Sequence, residues 1–258
     1  MNCLTCYGQL NGIASAAVVI PTVVRPSLKH SLESIYAQEG VDKVQILIGV
    51  DKPQMDSAFI SEVLQSRPPH VSGLLLELPY STSARHDGVH TATDGGSLRA
   101  ILTLMAHSRY VAYLDDDNTW TPNHLTRLLE AIQGNAWAFS QRFLIDEDTA
   151  ENYGPDVWHS VGVDKGTFAS RGGFVDPNCL MVDSVRTAPL IGRWASSGSV
   201  KPGLLADRFL FAGLRNAPHG VVAEPTVLYK IRKTNVLQRL VMQQRRERAV
   251  MDTVGGAQ

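Results

Sequence analysis

Three consecutive carboxylates, Asp115, Asp116 and Asp117, follow an apolar segment at residues 110–114. Neighbouring Asp residues repel one another and are poor strand formers. A divalent cation offsets such crowding, because Mg²⁺ and Mn²⁺ favour hard oxygen ligands. Side chains alternate along an extended chain, so Asp115 and Asp117 would share one face and Asp116 would point away. That reads as Asp-x-Asp at the carboxyl end of a buried strand, where α/β sheets gather ligands. The competing reading is a solvated acidic turn before the next helix, with Thr119 or Thr121 as its N-cap. Asp51 ends another apolar run, residues 44–50. It could accept a hydrogen bond from an N–H donor or simply terminate a strand. Asp207 falls early in a later helix, where the helix dipole favours a negative charge.

The elements that must position these groups alternate through the first half. Residues 16–20 form a continuous Val/Ile-rich run, the pattern of a strand buried on both faces, and Pro21-Thr22 ends it with Arg25 in the following loop. Ser27 is placed to cap a helix through Gln38, which Gly40 terminates before the strand at 44–50. This is a βαβ unit, expected to be parallel and right-handed. A helix at 56–66, a strand at 73–78, a polar loop at 79–94 and a helix opening at Gly95-Gly96-Ser97 lead to the acidic strand end. In that last helix Leu98, Ile101, Leu102 and Met105 make the inner face, while Arg99 either meets a phosphate or lies on a solvated surface. Pro122 then starts a helix carrying Leu125, Leu128, Leu129 and Ile132 inward, ended by Gly134.

The second half is less regular. Strands are expected at 136–145 and 179–182, short strands and loops between them, and a helix at 203–214. A strand at 221–231 is interrupted by Pro225 and therefore reads as an edge. A basic amphipathic helix spans 236–251. The fold class is α/β, with a mostly parallel mixed sheet flanked by helices. Residues 1–14 read as a flexible lead-in, 15–232 as one domain (15–134 and 135–232 as its halves), and 233–258 as the terminal helix and tail.

Composition narrows the function classes. The chain has 258 residues, 44% hydrophobic and 19% charged, with a net charge of −1, which gives no global attraction to nucleic acid. No apolar run reaches the roughly 20 residues of a membrane span. Cys3 and Cys6 form a CxxC without a second pair, so a zinc site is not expected, and with Cys179 they read as reduced thiols of a cytoplasmic protein.

The order of Pro21-Thr22 and Arg25, Asp51, Asp115-Asp116-Asp117 and Asp207 resembles the inverting nucleotide-sugar glycosyltransferases of family 2, which have the GT-A (Rossmann-like) fold. The resemblance covers roughly residues 15–232. It implies that Pro21, Thr22 and Arg25 lie beside the nucleotide, that Asp51 contacts the base, and that Asp115 faces the nucleotide. Asp117 would bind Mn²⁺ or Mg²⁺ bridging the diphosphate, with Asp116 in the intervening position. Gly96 and Arg99 fall at the family's Gly-rich segment and basic residue, and Asp207 at its general base. The implied donor is a UDP-, GDP- or dTDP-sugar and the acceptor a saccharide, lipid-linked or other hydroxyl. Trp194, Ser196, Ser197 and Gly198 could line the acceptor side, Trp194 equally well being a core residue. The terminal helix could touch the inner face of a membrane or a second subunit.

Departures from the family pattern are also legible. Lys52 replaces a second acid, Val23-Val24 an aromatic and Asn, Ala206 a Glu, and Arg232 a frequent His, for which His219 is the nearest substitute. The Gln-x-x-Arg-Trp motif of processive synthases is absent. A sugar-nucleotide nucleotidyltransferase would carry a Gly-rich loop after the first strand, and residues 21–27 contain no Gly. A non-catalytic nucleotide-binding domain of the same fold would have no need for Asp207.

Overall fold

The computed structural model describes residues 3–9, 11–53, 56–92, 94–196, 206–233, 235 and 237–245. In chain order the elements are β1 (Leu4–Tyr7), β2 (Ala16–Thr22), α1 (Leu28–Tyr36), β3 (Val44–Val50), α2 (Ala58–Gln65), β4 (Val71–Glu77), α3 (Gly96–Met105), β5 (Tyr110–Tyr113), β6 (Thr119–Trp120) and α4 (His124–Ala131). There follow β7 (Trp137–Asp146), β8 (Asn152–Pro155), β9 (Gly162–Val163), β10 (Gly173–Phe174), β11 (Leu180–Asp183), α5 (Ala188–Ile191), α6 (Ala206–Leu214) and β12 (His219–Ile231).

One sheet carries the strand order β1-β4-β3-β2-β5-β11-β7-β12-β6, with β8 paired to β7, and β9 and β10 form a separate pair. Strands β4, β3, β2 and β5 are mutually parallel, and β12 is parallel to β7. Every residue of β2 and β3 is buried, as expected of strands covered on both faces. Strand β11 runs antiparallel between β5 and β7. Its amino end therefore arrives at the rim where the parallel strands finish. That inversion brings Asp176, Pro177 and Asn178 to the same edge as Thr22, Asp51 and Asp115. The fold is a mostly parallel mixed sheet flanked by helices in a single domain.

Four expectations are corrected. The lead-in is a strand from Leu4 to Tyr7, paired antiparallel along β4. Its sequence lacks periodicity because an edge strand is stabilised by the neighbour it extends, not by its own pattern. Ser27 stands at the start of α1 in helical geometry without a side-chain cap. Strand β12 is not the edge. It pairs with β7 along its length and with β6 at Val227 and Leu228, and Pro225 falls between two register shifts, the kind of irregularity where a strand accommodates proline. Finally, α3 turns Leu98, Arg99, Leu102 and Thr103 inward and leaves Met105 36% exposed.

The described part of the terminal helix, residues 237–245, places Leu237 and Val241 against Leu144 and Ile231, with Tyr153 and Trp158 beside them. Leu237 and Val241 of its apolar stripe are thus covered by their own domain, while Met242 is 40% exposed. Arg246, Arg248 and Val250 lie outside the described residues. Among the described residues no helix is long and apolar enough to cross a membrane.

A buried ionic knot joins the second half to the site. Arg142, on β7, is 2% exposed and donates to Asp156 Oδ2 at 3.2 Å, Asp176 Oδ2 at 2.9 Å and Ser160 Oγ at 2.7 Å. Its guanidinium lies 4.0 Å from the Tyr229 ring centroid. Arg142→Met should lower stability by on the order of 3 kcal/mol, because two buried carboxylates lose their counter-charge. Thermal or urea denaturation measures this.

Candidate active site

Two adjoining cavities of about 520 and 380 Å³ open at the carboxyl ends of the parallel strands. They share Asp94, Arg99, Asp115, Asp117 and Arg232 along their common wall. Pro21, Thr22, Arg25, Asp51 and Asp116 line the larger one, and Asp207 and Asp176 the smaller. All nine expected site residues are thus brought to one cleft.

Each acid is held differently. Strand β5 ends at Tyr113, and the chain turns through Asp116 and Asp117 instead of staying extended. Strand alternation therefore stops before the acids, and Asp116 does not point away. It is 4% exposed and accepts from Thr22 Oγ1 at 2.6 Å and Arg25 Nη1 at 3.0 Å. Burial pushes its carboxyl above the usual range. Thr22 Oγ1 also accepts from the Val24 N–H at 2.8 Å. Val24 itself has φ +61°, a left-handed conformation that Asn tolerates and that costs a β-branched side chain about 1–3 kcal/mol.

Asp115 accepts from Arg99 at one oxygen and from Asn178 Nδ2 at 2.8 Å at the other. Asn178 Oδ1 in turn accepts from the Asp115 backbone N–H at 2.7 Å. Arg99 does not lie on a solvated surface. It is 6% exposed, donates to the Asp94 carbonyl at 2.5 Å and lies 5.2 Å from the Trp194 ring centroid. The close approach that permits this needs glycine. A Cβ at Gly95 would stand 2.6 Å from Pro21 Cβ, and one at Gly96 would stand 2.1 Å from the Trp194 carbonyl oxygen.

Asp117 accepts at Oδ2 from Arg25 at 3.2 Å and Arg232 at 2.5 Å, and at Oδ1 from Asn118 Nδ2 at 2.9 Å. Burial and the charges of Asp115 and Asp116 push its carboxyl up to about 6 despite both arginines. A cation would relieve that residual crowding. Among the described residues no group of three or more His, Cys, Asp or Glu side chains could hold a metal. A fit through Asp117 alone therefore requires phosphate oxygens and water to complete the shell, the usual manner of Mg²⁺ with nucleotides. Arg25 and Arg232 are 35% and 47% exposed at the side chain, so both can turn toward an incoming phosphate. His219 takes no part. It stacks on Trp137 at 4.7 Å, at the opposite end of β12 from Arg232.

Asp51 is 6% exposed at the end of β3, its backbone N–H bonded to the Thr22 carbonyl at 2.9 Å. Asp207 lies in the first turn of α6, half-buried, with Oδ1 accepting from the Arg208 N–H at 2.6 Å. Burial first, and the charge of Asp176 second, push its carboxyl up to about 6, against the lowering effects of Arg99 and Arg208. Trp194 is fully buried against Tyr113, 5.0 Å between ring centroids, and belongs to the core. Ser197 and Gly198 lie outside the described residues.

Asp176 and Asn178 are absent from the sequence reading although both shape the cleft. The signal that could have marked them is the Asp-Pro-Asn turn before a short strand, since Asp176 accepts from the Asn178 N–H at 3.0 Å there.

Comparison with known proteins agrees with this geometry. The family model described as glycosyl transferase family 2 matches residues 17–176. No curated protein matches the chain in sequence. Crystal structures of TarS from S. aureus share the fold. One aligns at a TM-score of 0.62 and 12% identity, covering 84% of this chain and 37% of that one. A TarS 1-349 complex with UDP aligns at 0.60 and 12%, covering 84% and 60%. A TarS 1-349 complex with UDP-GlcNAc aligns at 0.61 and 13%, covering 86% and 60%. The chain thus spans only part of these proteins, and at such identities the likeness is one of fold.

Proposed function

Because the chain belongs to glycosyl transferase family 2, we propose that it moves one sugar from a nucleoside diphosphate donor to a hydroxyl acceptor, with inversion at the anomeric carbon. The observation that carries the reading is the convergence of Asp51, Asp115, Asp116, Asp117 and Asp207 on two joined cavities. The larger cavity takes the nucleotide, with Pro21 and Thr22 alongside it and Asp51 accepting from a base N–H. The base is uracil, guanine or thymine, each of which offers such a donor. Arg25 and Arg232, with Asp115 and Asp117, face the diphosphate. A Mn²⁺ or Mg²⁺ held by Asp117 and the phosphate oxygens would supply Lewis-acid stabilisation of the departing nucleoside diphosphate.

In the smaller cavity Asp207 takes the proton of the acceptor hydroxyl. The oxygen lone pair attacks the anomeric carbon opposite the leaving group and forms the new glycosidic bond. The bond from that carbon to the β-phosphate oxygen breaks, and its electron pair leaves with the nucleoside diphosphate. Asp115, fixed by Arg99 and Asn178, holds the nucleotide side still during this step.

The reading is tested by titration calorimetry with UDP, GDP and dTDP, each with and without Mn²⁺. Binding of one nucleotide that strengthens with the cation is expected; absence of any nucleotide binding would sink the proposal. Activity should also report Asp207. A base acts only when ionised, so kcat at saturating donor should be level above about pH 6 and fall roughly tenfold per unit below it. Asp176, Arg99 and Arg208 are the charges that set this midpoint.

A further inference from the structure

A separate cavity of about 400 Å³ shares no lining residue with the cleft. Residues of β8 and the turn after it form one wall, and Val241, Gln244 and Arg245 of the terminal helix form the other. Its size falls in the range of small-molecule sites, about 300–1,000 Å³. Two ties fix its width. The Tyr153 hydroxyl donates to Asp146 Oδ2 at 2.6 Å, and Gln238 Nε2, on the helix, donates to the same oxygen at 3.2 Å. Arg245 donates from Nη1 to Glu151 Oε2 at 3.0 Å and from Nη2 to Oε1, and its guanidinium carbon lies 5.0 Å from the Tyr153 ring centroid. Both walls are thus joined before any ligand arrives, so little ordering is left to oppose binding.

The lining combines aromatic rings with unpaired amides. Tyr153 and Trp158 are both half-buried, and Val157 beside them is 54% exposed. Among the described residues the Trp158 indole N–H and the Gln244 amide have no hydrogen-bond partner, and neither is sealed from solvent. Asn152 accepts from the Gly154 N–H at 2.8 Å and leaves its own NH₂ group unpaired. Glu151 and Arg245 are the charged residues of the lining, and they cancel one another. An anionic ligand therefore finds no surplus cation, and a wholly apolar one would leave the amides without partners. A sugar suits both features. Its C–H faces pack on aromatic rings, and its hydroxyls donate and accept, as amide and indole groups require.

The groove borders the cleft. Asp146, which holds Tyr153, precedes Glu147, which accepts from Arg232 at 3.0 Å, and Arg232 lines both cleft cavities. We infer that this groove binds a sugar residue of a saccharide acceptor, held outside the cleft while another residue of the same chain presents its hydroxyl to Asp207. The inference rests on the transferase reading and names the acceptor class within it, an oligosaccharide or longer glycan.

Calorimetry on the whole chain with cellotetraose, maltotetraose and tetra-N-acetylchitotetraose, each with and without UDP, tests this on the parent and on Trp158→Ala and Gln244→Ala. One or more of these tetrasaccharides is expected to bind the parent, with an affinity that salt leaves unchanged because neither partner brings net charge. Each variant should lose about tenfold of that affinity or more, while UDP affinity stays that of the parent. Trp158 also packs against the cluster of Leu144, Ile231, Leu237 and Val241, so Gln244→Ala decides if the first variant does not fold. No binding of any of the three to a parent that binds UDP, or equal binding by the parent and Gln244→Ala, overturns the inference alone. Tetrasaccharide binding by a parent that binds no UDP would keep the groove as a saccharide site and strike the transferase reading.

Discussion

Asp117→Ala is expected to lower nucleoside diphosphate affinity in the presence of Mn²⁺ by about a hundredfold, close to 3 kcal/mol. The sign without metal should be the opposite. Asp117 Oδ2 holds Arg25 at 3.2 Å and Arg232 at 2.5 Å, so removing it leaves each guanidinium with one carboxylate fewer, Asp116 and Glu147 remaining, and more charge to offer the diphosphate. Metal-free binding should then stay level or rise. This crossing of the two titrations separates a ligand of the cation from a residue that merely keeps the cleft folded, whose loss would weaken both. If the alanine variant binds with Mn²⁺ as the parent does, the cation does not sit on Asp117. The neighbouring acids should not behave in this way. Asp116 is buried between Thr22 and Arg25, and Asp115 is clamped by Arg99 and Asn178, so their loss loosens the cleft under either condition.

The strands and their polar ends were legible because continuous Val/Ile runs at 16–20 and 44–50 encode burial on both faces, and nothing else in the chain competes with that pattern. What failed was reasoning that extended a local rule past its element. Strand alternation predicted that Asp116 points away, but the chain turns after Tyr113 and drives that side chain against Thr22. Helical periodicity placed Leu98, Ile101, Leu102 and Met105 on the inner face of α3, and all but the 36% exposed Met105 pack there. The helix is rotated so that Arg99 and Thr103 face inward beside Leu98 and Leu102. An arginine at such a position reads as solvated until Asp115 and Trp194, remote in sequence, are known to meet it. Asp176 and Asn178 were hidden for a related reason. Only the antiparallel insertion of β11 between β5 and β7 brings their turn to the rim, and no short-range signal specifies that insertion.

Asp207→Asn should leave donor binding unchanged and lower the rate of transfer by about a thousandfold, within the range general bases contribute. The substitution is nearly isosteric, and an Asn carbonyl oxygen can still accept the Arg208 N–H that Asp207 accepts at 2.6 Å. The first turn of α6 therefore keeps its geometry, while the group can no longer take a proton. Two results would separate this role from a structural one. The fall in kcat below about pH 6 should vanish from the residual activity of the variant, and its melting temperature should stay near that of the parent. A rival base would have to come from the same cavity, and Asp176 is the nearest carboxylate of that kind. It is already committed, with Oδ2 accepting from Arg142 at 2.9 Å and Oδ1 from Asn178 Nδ2 at 2.7 Å. Among the described residues Asp207 accepts only the Arg208 N–H, and burial first and the negative charge of Asp176 second push its carboxyl up to about 6. The two acids thus have opposite tasks set by their surroundings. Full transfer activity in Asp207→Asn would reassign the base and leave Asp207 as a helix-terminal charge.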